Sequence, residues 1–247
     1  MPAPSASLRA LDAAKILATA EVLSQRVTQR FPDSSLSRVS AELVMITTEA
    51  ADRARWLARP NYAIRSAAIF FGLLLACVPV VTFYFGFVRF REVASSLADL
   101  AQGIDAGVNE ALLFAAAIYF LLTLEKRLKR KRALEALHEL RSLAHIIDMH
   151  QLTKDPEVFT GEWEPTSSSP SRAGLTPFQL ERYLDYCSEM LAVLSKVAAL
   201  YVQYFQDETV LRGVDEVENL ASGLSRKIWQ KITILDRLRE TQRPAQQ

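Results

Sequence analysis

The chain holds three histidines, His138, His145 and His150, and all of them fall in one short stretch together with Arg141 and Asp148. Two chemistries could use such a set. His145 beside Asp148 and Arg141 could hold and pass a proton near neutral pH, where imidazole titrates. Glu135 with His138, or His145 with Asp148, could each offer two metal ligands at i,i+3 spacing. Geometry limits the second option. His138 and His145 are seven residues apart, about 10.5 Å along a helix, and one ion with bonds near 2 Å cannot bridge them. A di-metal carboxylate site would need more Glu-x-x-His and Glu donors than this chain supplies. No metal and no cofactor is therefore assigned. No Gly-rich phosphate loop, G-x-S-x-G elbow or Cys–His pair accompanies the histidines. Structural networks also gather such residues, so the competing reading is that His138, Arg141, His145, Asp148 and His150 cap, pair and pack at a helix interface. That reading is preferred to catalysis.

The helix that must carry these residues is legible from its periodicity. At 100° per residue, Leu137, Leu140, Ala144 and Ile147 form an apolar stripe. His138 and His145 share a different face with Ser142 and Met149, Arg141 and Asp148 lie on the border, and His150 turns toward Leu143 and Ile146. Upstream, the same helical phase passes through a basic collar of Lys126, Arg127, Lys129, Arg130, Lys131 and Arg132. Before the collar comes bare hydrocarbon from Leu112 to Leu124. A basic collar directly after an apolar run reads as a lipid-headgroup contact, and its position argues against nucleic acid as the partner.

Two runs are apolar enough to cross a bilayer. Residues 66–88 contain no charged side chain and exceed the roughly 20 residues needed to cross a core of about 30 Å. Trp56 and Tyr62 stand near the start of that run, where interfacial aromatics are favoured. Ala68, Gly72 and Ala76 form a small-residue strip that would let another helix approach, and Pro79 is expected to kink the span. The second run, 108–124, is shorter, with Asn109 and Glu110 at its edge. Charge distribution supports two crossings: Arg53, Arg55, Arg59 and Arg65 precede the first run and the collar follows the second, so a hairpin puts both groups on the cytoplasmic side. Residues 89–107 are then a short extracytoplasmic loop, in which Val93, Leu97, Leu100 and Ile104 could form a short helix.

The remaining segments read as amphipathic helices. Residues 1–65 form a hairpin. Its first helix starts after Ser7 and buries Ile16, Ala20, Leu23 and Val27. Its second is capped by Asp33 or Ser35 and carries Val39, Leu43, Ile46, Ala50 and Leu57, with the core face ending near Arg53 and Pro60 breaking the helix. Residues 125–155 extend the second span. Residues 156–176 are a linker, opened by an Asp155-Pro156-Glu157 cap and helical turn. Thr176-Pro177-Phe178-Gln179 is a capping-box start to the C-terminal hairpin, 177–247. Its first helix shows heptad spacing at Leu180, Leu184, Cys187, Leu191, Leu194, Ala198, Tyr201 and Phe205, a seam that needs a partner helix. The phase breaks near Gly213, and Asp215 with Glu218 is expected to start the last helix. Trp229, Tyr183, Tyr186, Tyr201 and Tyr204 are expected in core or interface.

Composition agrees with this outline. The 247 residues carry a net charge of +1, half are apolar and only 8 are Gly, which suits long helices and gives no global field calling for nucleic acid. Two distant cysteines, Cys77 and Cys187, do not make a disulfide framework. The sequence does not begin like a cleaved signal peptide.

The stretch Leu137-His138-Glu139-Leu140-Arg141-Ser142-Leu143-Ala144-His145-Ile146-Ile147-Asp148-Met149-His150-Gln151-Leu152-Thr153-Lys154-Asp155-Pro156 resembles the signature of a family of uncharacterised bacterial two-span membrane proteins. Phe90 to Asn109 and Leu224 to Ile232 are similar to that family too, so the resemblance covers about two thirds of the chain. It implies a bacterial inner-membrane protein and transfers no catalytic role. The expectation is thus an all-α membrane protein: a two-helix transmembrane hairpin with a cytosolic bundle of coiled-coil-like helices and both termini cytoplasmic. Its expected function is a self-associating scaffold or an interaction module for another helical protein. The alternatives are a tethered enzyme or sensor using the histidine stretch, and a small oligomeric channel.

Overall fold

The computed structural model describes residues 10–93, 97–159 and 174–242. Among them the chain forms six α-helices and one 3-10 turn, with no strand: α1 Ala13–Arg30, α2 Ser35–Ala58, α3 Tyr62–Val93, α4 Leu97–Leu152, the turn Pro156–Phe159, α5 Pro177–Tyr204 and α6 Glu208–Gln242. The chain divides into two compact units, residues 59–131 and the rest.

The larger unit is a helical bundle. Leu180, Leu184, Cys187, Leu191, Leu194, Ala198 and Tyr201 of α5 are all buried, and so are Tyr183, Tyr186, Met190, Val193, Val197 and Leu200 between them. A helix apolar over most of its circumference belongs in the middle of a bundle. Accordingly α5 packs against α1, α2, α6 and the 3-10 turn. The heptad seam therefore finds its partners inside the chain. Each large aliphatic member buried there contributes about 1.5–3 kcal/mol. The start of α5 is fixed by a reciprocal capping box: the Thr176 hydroxyl accepts from the Gln179 N–H, and the Gln179 carboxamide accepts from the Thr176 N–H, with Pro177 opening the helix. Phe31 anchors the α1–α2 corner, edge-on to Tyr183 at 5.5 Å and Tyr186 at 6.3 Å between ring centroids.

Several helix ends differ from the sequence reading. The α1 cap is Asp12, whose carboxylate accepts from the Ala14 N–H; Ser7 lies outside the described residues. Ser34, rather than Asp33 or Ser35, caps α2 by accepting from the Ser37 N–H. Asp33 instead takes the left-handed turn conformation, with φ 56°, which lets the chain reverse in four residues. The core face of α2 continues past Arg53, because Ala54 and Leu57 are buried there. Ile46 packs partly buried against the core as expected, and Thr47 beside it is fully buried. Thr47 is tolerated because its hydroxyl donates to the Leu43 carbonyl at 2.6 Å.

The expected loop 89–107 is mostly helix, since α3 runs to Val93 and α4 begins at Leu97. The side chains of Pro79, Val93, Leu97, Leu100 and Ile104 lie outside the described residues, and α3 is helical through Pro79. The last helix begins earlier than Asp215. Asp207 caps it, its carboxylate accepting from the Thr209 and Val210 N–H groups, and α6 passes through Gly213 without interruption.

Gly213 marks a close approach. A Cβ there would sit 3.0 Å from Leu137 Cδ1 and 3.5 Å from Leu134 Cδ2, so the missing side chain lets α6 lie against α4. Gly213→Leu is expected to lower stability by about 1–3 kcal/mol through overpacking, and a further Leu137→Ala to restore part of the loss. Thermal unfolding of the two variants in detergent checks both.

Candidate functional site

The residues singled out for chemistry occupy the last turns of α4. Their faces are as the periodicity requires. Leu137, Leu140, Leu143, Ala144 and Ile147 are buried, whereas His138, Ser142, His145 and Met149 are exposed. His138 and His145 are thus not packed at an interface within the chain. Arg141 leaves the set to pair with Glu216 on α6. Asp148 accepts from the Gln151 side-chain amide at 2.6 Å, and His150 Nδ1 lies 2.8 Å from the Ile146 carbonyl of its own helix. No group of three or more His, Cys, Asp or Glu side chains suited to a metal ion occurs among the described residues.

The end of α4 is fastened by a lysine. Lys231 Nζ of α6 donates to the carbonyls of Gln151 and Lys154 at 2.9 and 3.0 Å, satisfying acceptors that a helix C-terminus leaves open. Burial pushes the Lys231 and Lys154 ammonium groups below their ordinary range; Lys154 lies over the Tyr183 ring at 5.2 Å. Burial also pushes the Cys187 thiol up to about 12, against the pull of both lysines. A thiol so placed stays protonated and is not a nucleophile at neutral pH. The carboxamide oxygen of Gln151 is buried here and accepts no hydrogen bond among the described residues.

The collar divides by function. Lys126, Arg127, Lys131 and Arg132 are exposed and Arg130 is partly exposed. Arg127 lies over the Phe120 ring at 5.2 Å. Lys129 is buried and turned inward: its Nζ donates to the Arg59 carbonyl at 2.8 Å and pairs with Glu125 at 3.1 Å. It is thereby withdrawn from the expected headgroup set. Glu125 also receives the Asn61 N–H at 3.0 Å and Arg65 Nε at 2.8 Å. Burial alone would raise this carboxyl, but the Asn61 N–H, Arg65 and Lys129 outweigh it and hold the pKa at about 2. One carboxylate thus ties the end of the α2–α3 link to the start of the collar.

A cavity of about 300 Å³ opens between α2, α4 and α5, lined by Arg53, Trp56, Leu57, Arg132, Glu135, Glu139 and Tyr201. Arg53 donates from Nη1 to Glu139 at 2.6 Å and from Nη2 to Glu49 at 2.8 Å. Burial pushes the neighbouring Tyr201 phenol up to about 12, with Arg53 opposing. The Arg132 guanidinium lies over the Trp56 ring at 4.2 Å. Sequence reasoning met these residues separately, as a gap in a stripe, an interfacial aromatic, a collar member and a seam position. Only folding joins them, because they come from three helices far apart in the chain. The Glu49–Arg53 i,i+4 pair was a local signal for part of it.

No family model, curated protein or solved structure matches the chain. The stretch Leu137 to Pro156 has no matching family model behind its resemblance.

The Glu125 cluster sets a pH dependence. Its folded pKa lies below the ordinary 4.5, so its stabilisation is complete above that value and is lost as pH falls toward 2. Glu125→Gln is expected to cost on the order of 3 kcal/mol at pH 7 and to flatten the stability profile between pH 4.5 and 2. Unfolding midpoints measured over that range in the wild type and variant check it.

Proposed function

We propose that the chain is a membrane-anchored helical interaction module. In this reading α3 and the first half of α4 form a two-span hairpin, and the bundle lies in the cytoplasm with both chain ends. The observation that carries the proposal is the exposure of large apolar side chains on both helices. Leu113 and Leu122 of α4 are 72% and 68% exposed, and Phe70 and Leu73 of α3 are 64% and 65% exposed. The described part of α4 from Gly107 includes a stretch long and apolar enough to cross a membrane, and none of that stretch is buried. Contiguous apolar surface of this extent is not left in water; hydrocarbon is the solvent that suits it.

The exposed members of the collar, Lys126, Arg127, Lys131 and Arg132, then meet phospholipid headgroups, and the positive-inside bias supports cytoplasmic placement of the bundle. The resemblance adds a bacterial inner membrane as the location.

Self-association draws no support from the α5 seam, which is filled by α1, α2 and α6. What supports it is the Gly72 and Ala76 part of the small-residue strip, where a Cβ on Gly72 would meet nothing within 4 Å; Ala68 is buried. Small residues with open space above them let a second helix pack closely in lipid. The exposed histidine face, with no metal-binding group among the described residues and an inert Cys187 thiol, gives an enzymatic reading less to work with.

Alkaline extraction of membranes, with reporter fusions at Met1 and Gln247, tests the proposal. The expected outcome is a chain that stays with the membrane fraction and both reporters on the cytoplasmic side. Reporters on opposite sides, or a chain that dissolves without detergent, would overturn it.

A further inference from the structure

Several aromatic rings of the bundle carry a cation of the chain itself. Arg132 lies over Trp56, Arg30 over Phe178, Lys154 over Tyr183 and Arg182 over Tyr186. Trp229 of α6 is different. Its side chain is 60% exposed, and no cation lies over its ring among the described residues. Of the aromatic faces, indole attracts a cation most strongly. Tryptophan is also among the residues that carry most of the energy at protein interfaces.

Trp229 stands within a continuous stripe. Asp215, Glu218, Ser222, Trp229, Asp236 and Glu240 follow one another at steps of three, four or seven, and so share one side of α6. Glu218 is partly exposed and the other five are exposed. From Asp215 to Glu240 the stripe runs about 37 Å. None of its carboxylates makes an ion pair among the described residues. Other acids of the bundle are paired, Glu139 with Arg53, Glu189 with Arg26 and Glu216 with Arg141. No lysine or arginine lies on the stripe, although Arg226 and Arg237 flank it. Its charge is felt by a neighbour on α5. Burial pushes the Asp185 carboxyl above its ordinary range, Arg182 opposes, and Glu181, Glu189 and Asp236 add to the rise. A surface of this sign repels nucleic acid and the anionic face of a membrane. It attracts a partner carrying positive charge.

We propose that this side of α6 docks a basic helix of another protein, with one lysine or arginine over the Trp229 indole and others against Glu218 and Asp236. Glu218 and Asp236 lie eleven and seven residues from Trp229, about 16 and 10 Å along the axis. A partner helix repeats its side chains at the same pitch, so cations two and three turns apart meet all three positions in register. The proposal rests on the interaction-module reading above and gives that module a partner class; it draws nothing from membrane anchoring.

The test is selection from a displayed library of helical peptides, randomised along one face, on the full-length chain in mild detergent. Enriched peptides are expected to carry lysine or arginine at steps of three, four or seven and to bind saturably. Trp229→Ala leaves the net charge unchanged and is expected to weaken the tightest peptide about tenfold. Glu218→Gln combined with Asp236→Asn is expected to weaken it about tenfold as well and to reduce its salt dependence. Both variants alter side chains outside the core and are expected to unfold at the wild-type temperature. No enrichment, enriched peptides without a cationic pattern, or an affinity unchanged in either variant would overturn the proposal. Sedimentation of the chain alone distinguishes the other occupant: a dimer that Trp229→Ala dissolves identifies a second copy and overturns the assignment to another protein. Failure of the membrane reading has a different signature: the chain would remain dissolved without detergent and still select basic helices.

Discussion

The structure depends on where the apolar side chains of α4 can go. Within one unbroken helix, Leu140, Leu143 and Ile147 are fully enclosed by protein, whereas Leu112, Leu113 and Leu122 are open. The same side-chain chemistry is satisfied twice by different means. In the last third of the helix, burial against α6 and the rest of the bundle removes apolar area from contact with water, worth about 25 cal/mol per Å². In the stretch before Glu125, Leu112, Leu113 and Leu122 have no such cover among the described residues. That stretch is long and apolar enough to cross a membrane, and this supports the membrane proposal.

Between the two stretches the helix must carry charge without losing its place. Glu125, Lys129 and Arg65 do this as a compact set rather than as independent solvated charges. Buried ion pairs carry a desolvation cost. Here that cost is offset by additional hydrogen bonds, because Glu125 also takes the Asn61 N–H and Lys129 also reaches the Arg59 carbonyl. Those two backbone partners lie at Pro60, where α2 has ended and α3 has not begun, so the break in one part of the chain is sealed by side chains from another. Of the remaining collar cations, Arg127 and Arg132 lie over the Phe120 and Trp56 rings.

How much of this was legible follows from which interactions are local. The stripe Ile16, Ala20, Leu23, Val27 and the Thr176–Gln179 box could be read directly, since periodicity and capping act within a few residues. The faces of His138, Arg141, His145 and Asp148 were correct for the same reason. What failed was decided across helices. Gly213 reads as a breaker by propensity, but its missing Cβ is what α4 requires, so tertiary packing overrides the local cost of about 1 kcal/mol. Arg53 interrupts an apolar stripe because its partner, Glu139, is supplied by another helix. Trp229 was expected in core or interface and is 60% exposed, because Ile228 and Ile232 already fill the inner face of α6. Residues 89–107 looked like a loop for want of an uninterrupted apolar run, whereas 89–93 and 97–107 are helical. The cavity was invisible for a related reason: its residues share no motif, only a meeting point.

The account turns on a change of surroundings near Glu125, and site-directed spin labelling along α4 in liposomes measures that change directly. With nitroxides at Leu113, Tyr119, Leu122, His138, His145 and Met149, the expected result is collision with dissolved oxygen dominating for the first three and collision with a water-soluble nickel chelate dominating for the last three, with the crossover near Glu125. Equal access of the chelate to all six positions would contradict it.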